Sequence, residues 1–308
     1  MKNKLVLNVI YASLLFFIIS CKHDIIKNRT LITIKGSDSE LNLVRVFTEK
    51  FKYNFKSYDF DLSGGGSKKG ILALIDNETD IANSSRFLND DEESVLNTRS
   101  EPIYPFYIAS DVVCVISNPE NGIDSISLNQ LSHVLRGVIV NWKQLGGNDL
   151  PIKIFGRDNN SGTRSYLQQV MGIKKISEYH VNFKSNNEII SVVEKEKGAI
   201  GYVNVGSLLD REGKPFSKVW AMNIYGDGIP SCSPYQRERI RSGEYLLTRP
   251  LIQYITKPKK EIIEFIRFEL DAPQQIELEN HGYLKLNVVQ TEINNRTINQ
   301  IESGLGHY

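Results

Sequence analysis

Residues 156–167 read GRDNNSGTRSYL, and what flanks them decides the fold. The apolar run at 151–155 reads as a buried strand, and Tyr166, Leu167, Val170 and Met171 recur at helical spacing after the turn. The stretch is therefore the polar turn of a strand, turn, helix unit. Ser161 suits the N-cap, Gly162 lets the backbone come close to a ligand, and Thr163 adds a hydroxyl to the first turn. Such a helix start offers free N–H groups and the positive end of the dipole, which together suit an oxyanion. Arg157, four residues before Ser161, can bring a guanidinium fork to the same spot. Taken alone, the segment is equally an ordinary capped helix after a loop.

Related units precede it. A strand at 31–35 enters Gly36-Ser37-Asp38-Ser39, with Glu40 in the first helical turn and Leu41, Val44, Phe47 and Phe51 on one face behind it. A strand at 59–62 enters Ser63-Gly64-Gly65-Gly66-Ser67-Lys68-Lys69-Gly70, a glycine run whose successive N–H groups can line a concavity. It is not a Walker A loop, because Ile71 follows Gly70. It is neither a dinucleotide fingerprint nor a nucleophile elbow, because Lys69 stands where each needs glycine. A fourth strand end reads Asp80-Ile81-Ala82-Asn83-Ser84-Ser85-Arg86. Local turn chemistry explains any one of these segments. Four strand ends carrying small donors, three of them opening a helix, point to the edge of an open α/β sheet where ligands bind.

A chain of 308 residues exceeds one typical domain and suggests two. With 41% hydrophobic and 24% charged residues and a formal net charge of +1, it lacks the basic excess of a nucleic-acid binder. The five histidines are scattered, and no Cys/His spacing suits zinc. No Ser/His/Asp set is tied together, so a binding protein without cofactor or catalysis is expected rather than an enzyme. At the N-terminus, Lys2 and Lys4 precede an apolar run at 5–20 that ends at Cys21. Ile18-Ile19-Ser20-Cys21 resembles the lipobox of bacterial lipoproteins, which implies cleavage after residue 20 and acylation, palmitate included, of Cys21. Cleavage would leave 35 basic against 36 acidic side chains. An ordinary secretory signal or an N-terminal anchor helix stays open, and each of the three exports the domain. Residues 21–30 then form a polar tether. Cys114, in the apolar DVVCVIS, reads as buried packing; whether it pairs with Cys232 stays open.

The motifs at 36–39, 64–67, 80–86 and 157–163, followed by Gly198-Ala199-Ile200-Gly201-Tyr202, occur in the order seen in periplasmic phosphate-binding proteins. From about residue 31 to 286 the chain resembles these solute-binding subunits of bacterial phosphate ABC importers. The resemblance implies an α/β, two-lobed periplasmic-binding-protein fold (type II-like) with hinge strands and phosphate buried between the lobes. It implies ligand contacts from Ser37, Asp38, Ser39, Ser67, Ser85 or its neighbour Arg86, Arg157, Ser161, Gly162 and Thr163. Some members of the family have a carboxylate where Ser85 stands, so Asp38 is the expected acceptor of a proton on the ligand. The expected lobes are 31–107 with 223–286, and 108–222, with crossings at 111–117 and 219–224. Trp142 reads as packing, and at least one of Lys68 and Lys69 as solvent-facing. Residues 287–308 form a polar C-terminal extension outside the resemblance, with no assigned role. The implied partners are inorganic phosphate, the membrane subunits of an ABC permease and, through the lipid, a membrane, with the protein itself a monomer. A binder of molybdate or sulfate, or a surface lipoprotein in adhesion or signalling, remains the alternative.

Overall fold

The computed structural model describes residues 29–99, 102–210, 212–215 and 218–305; the expected signal sequence, Cys21 and most of the expected tether lie outside them. The first lobe begins with strands that each feed a helix. β1 (Thr30–Gly36) leads to α1 (Asp38–Asn54), β2 (Tyr58–Ser63) to α2 (Ser67–Ile75), and β3 (Ile81–Ser84) to α3 (Asp90–Thr98). Leu43, Val44, Phe47 and Phe51 form the buried stripe of α1. β1 pairs in parallel with both β2 and β3, so the three strand ends lie along one edge of the sheet.

The chain then crosses on β4 (Tyr104–Ser117). In the second lobe follow β5 (Ser125–Ser127), α4 (Leu128–Leu135), β6 (Lys153–Arg157), α5 (Gly162–Val170), β7 (His180–Phe183), α6 (Asn186–Lys195) and β8 (Ala199–Asn204). β9 (Trp220–Ala221), β10 (Asn223–Gly226), β11 (Ile229–Cys232) and α7 (Arg237–Arg241) complete it. The return strand is β12 (Thr248–Ile255), and α8 (Lys260–Leu270), α9 (Ala272–Asn280) and α10 (Val288–Leu305) finish the first lobe.

Strand β4 belongs to two sheets. Its residues 104–112 pair antiparallel with β12, which continues the first sheet in the order β2-β1-β3-β12-β4. Residues 113–117 pair antiparallel with β8, which starts the second sheet, β4-β8-β6-β7. The hydrophobic cores divide at the same place: Phe106, Ile108 and Ala109 join the first, Val112 and the residues after it the second. Trp142 is fully buried in the second core, with its indole N–H donating to Gly198 O at 3.0 Å. Cys114 and Cys232 are both buried free thiols.

The first crossing falls within the expected 111–117, but the second does not fall at 219–224. There β9 pairs with the end of β4 and β10 pairs with β5, and Ile224, Cys232, Ile240, Tyr245 and Leu247 pack into the second core. The return comes at 247–249, so residues 223–247 belong to the second lobe. An apolar run signals burial without saying in which core, and the true return is masked by Arg249 and Pro250.

The C-terminal extension is an integral part of the first lobe. Ile298 and Ile301 of α10 enter its core. β4 slips register against β12 near Tyr107, and the Asn294 amide pairs with the backbone of that residue. It accepts the Tyr107 N–H at 2.9 Å and donates to the Tyr107 carbonyl at 2.7 Å. Asn294→Ala strands both backbone groups, and chemical denaturation should show a loss of about 3 kcal/mol, the sum of two unsatisfied groups at roughly 1–3 each.

Candidate anion-binding site

Strand ends from both lobes face each other across the cleft. From the first lobe come the starts of α1 and α2 and the end of β3; from the second come the end of β6 and the start of α5. First-turn N–H groups have no intrahelical acceptor. Helices α3, α4 and α6 satisfy theirs with capping boxes from Asn89, Ser127 and Ser185. Helices α1 and α2 begin at Ser37 and Gly66 with no side-chain cap at all. Neither start carries a side-chain acceptor for its first-turn N–H groups.

Ser67, Ser85 and Gly162 meet across the cleft. Ser67 Oγ accepts the Ser85 N–H at 3.1 Å and lies 3.4 Å from Ser85 Oγ. A Cβ on Gly162 would overlap both hydroxyls, so glycine is required for the lobes to approach. Gly66 N–H donates to Gly36 O at 2.9 Å, and Lys68 N–H reaches Asn160 O across the cleft at 3.3 Å. Ser161 caps α5 as expected, accepting Arg164 N–H at 3.4 Å. Ser37, Ser39, Ser67, Ser85, Arg157, Ser161 and Thr163 are all buried. Ser37 Oγ and Arg157 Nε have no partner, two buried groups that a tetrahedral oxyanion would satisfy. Lys68 and Lys69 both face solvent.

One expected role changes. Arg86 is turned away from the cleft: its terminal nitrogens bind both oxygens of Glu92 at 2.8 and 2.7 Å, and one also reaches Phe87 O. Glu92 closes the α3 capping box, so this arginine anchors a helix start instead of a ligand. Asp38 lies at the cleft, where the protein itself already engages it. One carboxylate oxygen takes the Gly65 N–H at 3.0 Å and the other takes Arg157 Nη2 at 2.6 Å. Both oxygens are engaged, and the pair forms a latch between the lobes. Beside it opens a groove of about 780 Å³, with Asn42, Asn186, Asn204 and Ser207 among its walls, which gives the seat a route to solvent.

Arg157 is braced from behind by Tyr202 of the 198–202 motif and by two residues that the sequence does not single out, His180 and Arg164. The Tyr202 hydroxyl accepts the Arg157 N–H at 3.3 Å, and His180 Nε2 lies 3.0 Å from that hydroxyl. Arg164 Nη1 donates to Arg157 O at 3.1 Å and to Asn182 Oδ1 at 2.9 Å. Burial, then the Arg164 charge, pushes His180 down to about 4, so the ring is neutral near pH 7. Tyr202 closes the Gly198–Tyr202 motif, which gives that motif a positioning role. At the crossing, Arg249 binds Asp111 Oδ2 through Nη2 at 2.7 Å and through Nε at 3.1 Å. The same Nη2 reaches Ser39 Oγ at 2.8 Å, which ties the first turn of α1 to the hinge. Burial pushes the Asp111 carboxyl up and Arg249 pulls it back.

Comparisons with known proteins agree with this geometry. A PBP superfamily domain matches residues 26–272. The phosphate-binding protein PstS of Bacillus subtilis is 26% identical over 301 residues, 92% of this chain and 94% of the relative. That of Borreliella burgdorferi is 27% identical over 296 residues, 92% and 99% of the two chains. Among solved structures, a Clostridium perfringens protein described as a phosphate ABC transporter substrate-binding protein, with phosphate bound, aligns at TM-score 0.72. It is 25% identical and covers 84% of this chain and 100% of its own. An ABC-type phosphate transport receptor from Vibrio cholerae aligns at 0.69 with 26% identity, covering 83% and 100%. The chain belongs to the PBP superfamily and has its two-lobed periplasmic-binding-protein fold.

Proposed function

We propose that this protein captures inorganic phosphate between its lobes outside the cytoplasm and delivers it to an ABC permease. The observation that carries the reading is that uncapped helix starts and the buried, unpartnered Ser37 Oγ and Arg157 Nε occur on strand ends of the two lobes that an Asp38–Arg157 contact brings face to face. Relatives named for phosphate binding and transport support the choice of ligand. Backbone N–H groups, the hydroxyls of Ser37, Ser67, Ser85, Ser161 and Thr163, and Arg157 together replace the water shell of the anion. Closure then excludes solvent, and each charge-assisted bond contributes roughly 1.5–3 kcal/mol. Nothing in the seat requires a bond to be broken, so the protein acts by binding and release.

Cys21 is proposed as the lipidated N-terminus, on the strength of Ile18-Ile19-Ser20-Cys21. Among the described residues no helix is long and apolar enough to cross a membrane. The permease then meets a monomer held near the bilayer by residues 21–30.

Calorimetric titration of the ligand-stripped domain with phosphate should give tight one-to-one binding. Arg157→Ala should weaken it about 100-fold and Ser161→Ala about tenfold, equivalent to roughly 3 and 1.4 kcal/mol. Affinity within threefold of the unsubstituted protein in both would remove the seat from this position, and tighter binding of sulfate or molybdate would change the ligand. Intact-mass analysis of the membrane-extracted protein should show a chain that begins at Cys21 and carries acyl mass. Retention of Met1, or the absence of acyl mass, would sink the lipid anchor.

A further inference from the structure

Behind the first turn of α1 lies a cluster of fully buried polar side chains. Glu40, in the first turn of α1, and Glu269, in the last turn of α8, are both completely buried. Gln253 of β12 donates Nε2 to Glu269 Oε1 at 3.3 Å. Asn83 stands directly opposite Gln253 in the β3–β12 ladder, and its carbonyl accepts the Ser37 N–H at 2.9 Å. Six acceptor oxygens here meet no donor: both of Glu40 and one each of Asn83, Asp111, Gln253 and Glu269. Arg249 Nη1 is an unpartnered donor beside them, and the Ser37 hydroxyl can serve either way.

That inventory does not balance while the acids are ionised. Glu40, Glu269 and Asp111 would then set three negative charges against one guanidinium, out of reach of water. Protons on Glu40 and Glu269 correct both faults, because each removes a charge and turns an acceptor into a donor. Every neighbouring group bears on this. Around Glu40 stand Arg249 of β12, Glu269 of α8, Asp111 of β4 and the Ser37 hydroxyl, with the Tyr283 phenol packed close by. Burial raises both carboxyls well above the ordinary carboxylate range; Arg249 opposes it at Glu40, and Gln253 opposes it at Glu269.

We propose that Glu40 and Glu269 form a proton-holding chamber behind that turn, in which neutral Glu40 is the positioning residue that directs the Ser37 hydroxyl onto the ligand. A carboxylic acid at Glu40 donates to Ser37 Oγ and leaves the serine proton for the anion. A carboxylate would capture that proton and turn the hydroxyl away, while adding charge near the ligand. The ligand half of this proposal rests on the phosphate reading; the chamber itself does not.

The test compares the unsubstituted protein with Glu40→Gln and Glu269→Gln, since glutamine copies the donor and acceptor of a neutral acid. Glu40→Leu, which can neither donate nor accept, should weaken phosphate binding at pH 6 by tenfold or more, with Glu40→Gln recovering most of that loss; Glu40→Leu within threefold of the original, Glu40→Gln no better than Glu40→Leu, or Glu40→Gln tenfold tighter than the original would overturn the positioning role. Stability gives a second readout that needs no ligand. A carboxyl raised on folding lends stability at acid pH, which is lost as pH rises from its ordinary value near 4.5 towards its folded one. Between pH 5.5 and 7.5 the unfolding constant of the original protein should therefore rise relative to Glu40→Gln or Glu269→Gln, by up to about tenfold per pH unit. Parallel profiles for both variants, or a stoichiometric metal ion found by elemental analysis of the purified protein, would overturn the chamber. Failure of the unsubstituted protein to bind phosphate would sink the transport reading, and the stability profiles would still judge the chamber.

Discussion

The ion pair between Asp111 and Arg249 sits where the two cores part, on the two strands that join the lobes, and neither side chain is exposed. A pair this deep loses much of its attraction to desolvation, so its presence is weak evidence of added stability. What it supplies is direction. Arg249 holds the hinge strands together and reaches Ser39 in the first turn of α1, so the frame of the seat and the axis of closure share one guanidinium. Tyr283, from the chain after α9, donates to Ser39 O at 2.7 Å and locks the same turn from the other side. The uncapped start of α1 thus cannot shift without disturbing the hinge.

The Asp38–Arg157 latch completes the logic at the opposite side of the cleft. Arg157 is the cation proposed to meet the ligand, yet one of its nitrogens already holds Asp38 of the other lobe. A ligand can favour closure only through contacts it makes in the closed state and not in the open one. Placing that arginine in the interlobe contact makes those contacts the same event. The bracing of Arg157 by Tyr202, His180 and Arg164 fits that dual use, since an arginine shared by two anions must be held in one position.

Much of this was legible in the residues, and the limits have physical causes. Strand, polar turn and helix can be read from periodicity, and the proposed seat from hydroxyls and glycines repeated at strand ends, three of which, Ser67, Ser85 and Gly162, come together in the structure. Arg86 shows what spacing cannot give. Whether a charged group faces a ligand or a protein partner depends on which chain segment lies opposite, and the place of Glu92 is fixed only in three dimensions. His180 carries no local signal, and Glu40 looks like an ordinary acidic residue in a first turn until its burial is seen. The second crossing was hidden for a related reason: a charged residue followed by proline reads as a surface turn unless its buried counter-charge, 138 residues earlier, is known.

The fastening of Tyr107 by Asn294 has a consequence for how the molecule assembles. Those partners are 187 residues apart, and the whole second lobe, from Val113 to Leu247, lies between them as one uninterrupted segment. Contacts close in sequence form before those that must first close a long loop. The inserted lobe can thus reach its native contacts while the flanking one still lacks β12 and the helices after it. The half of the protein that emerges first is the last to be finished, and its unpaired β3 edge stays open until the far end of the chain arrives.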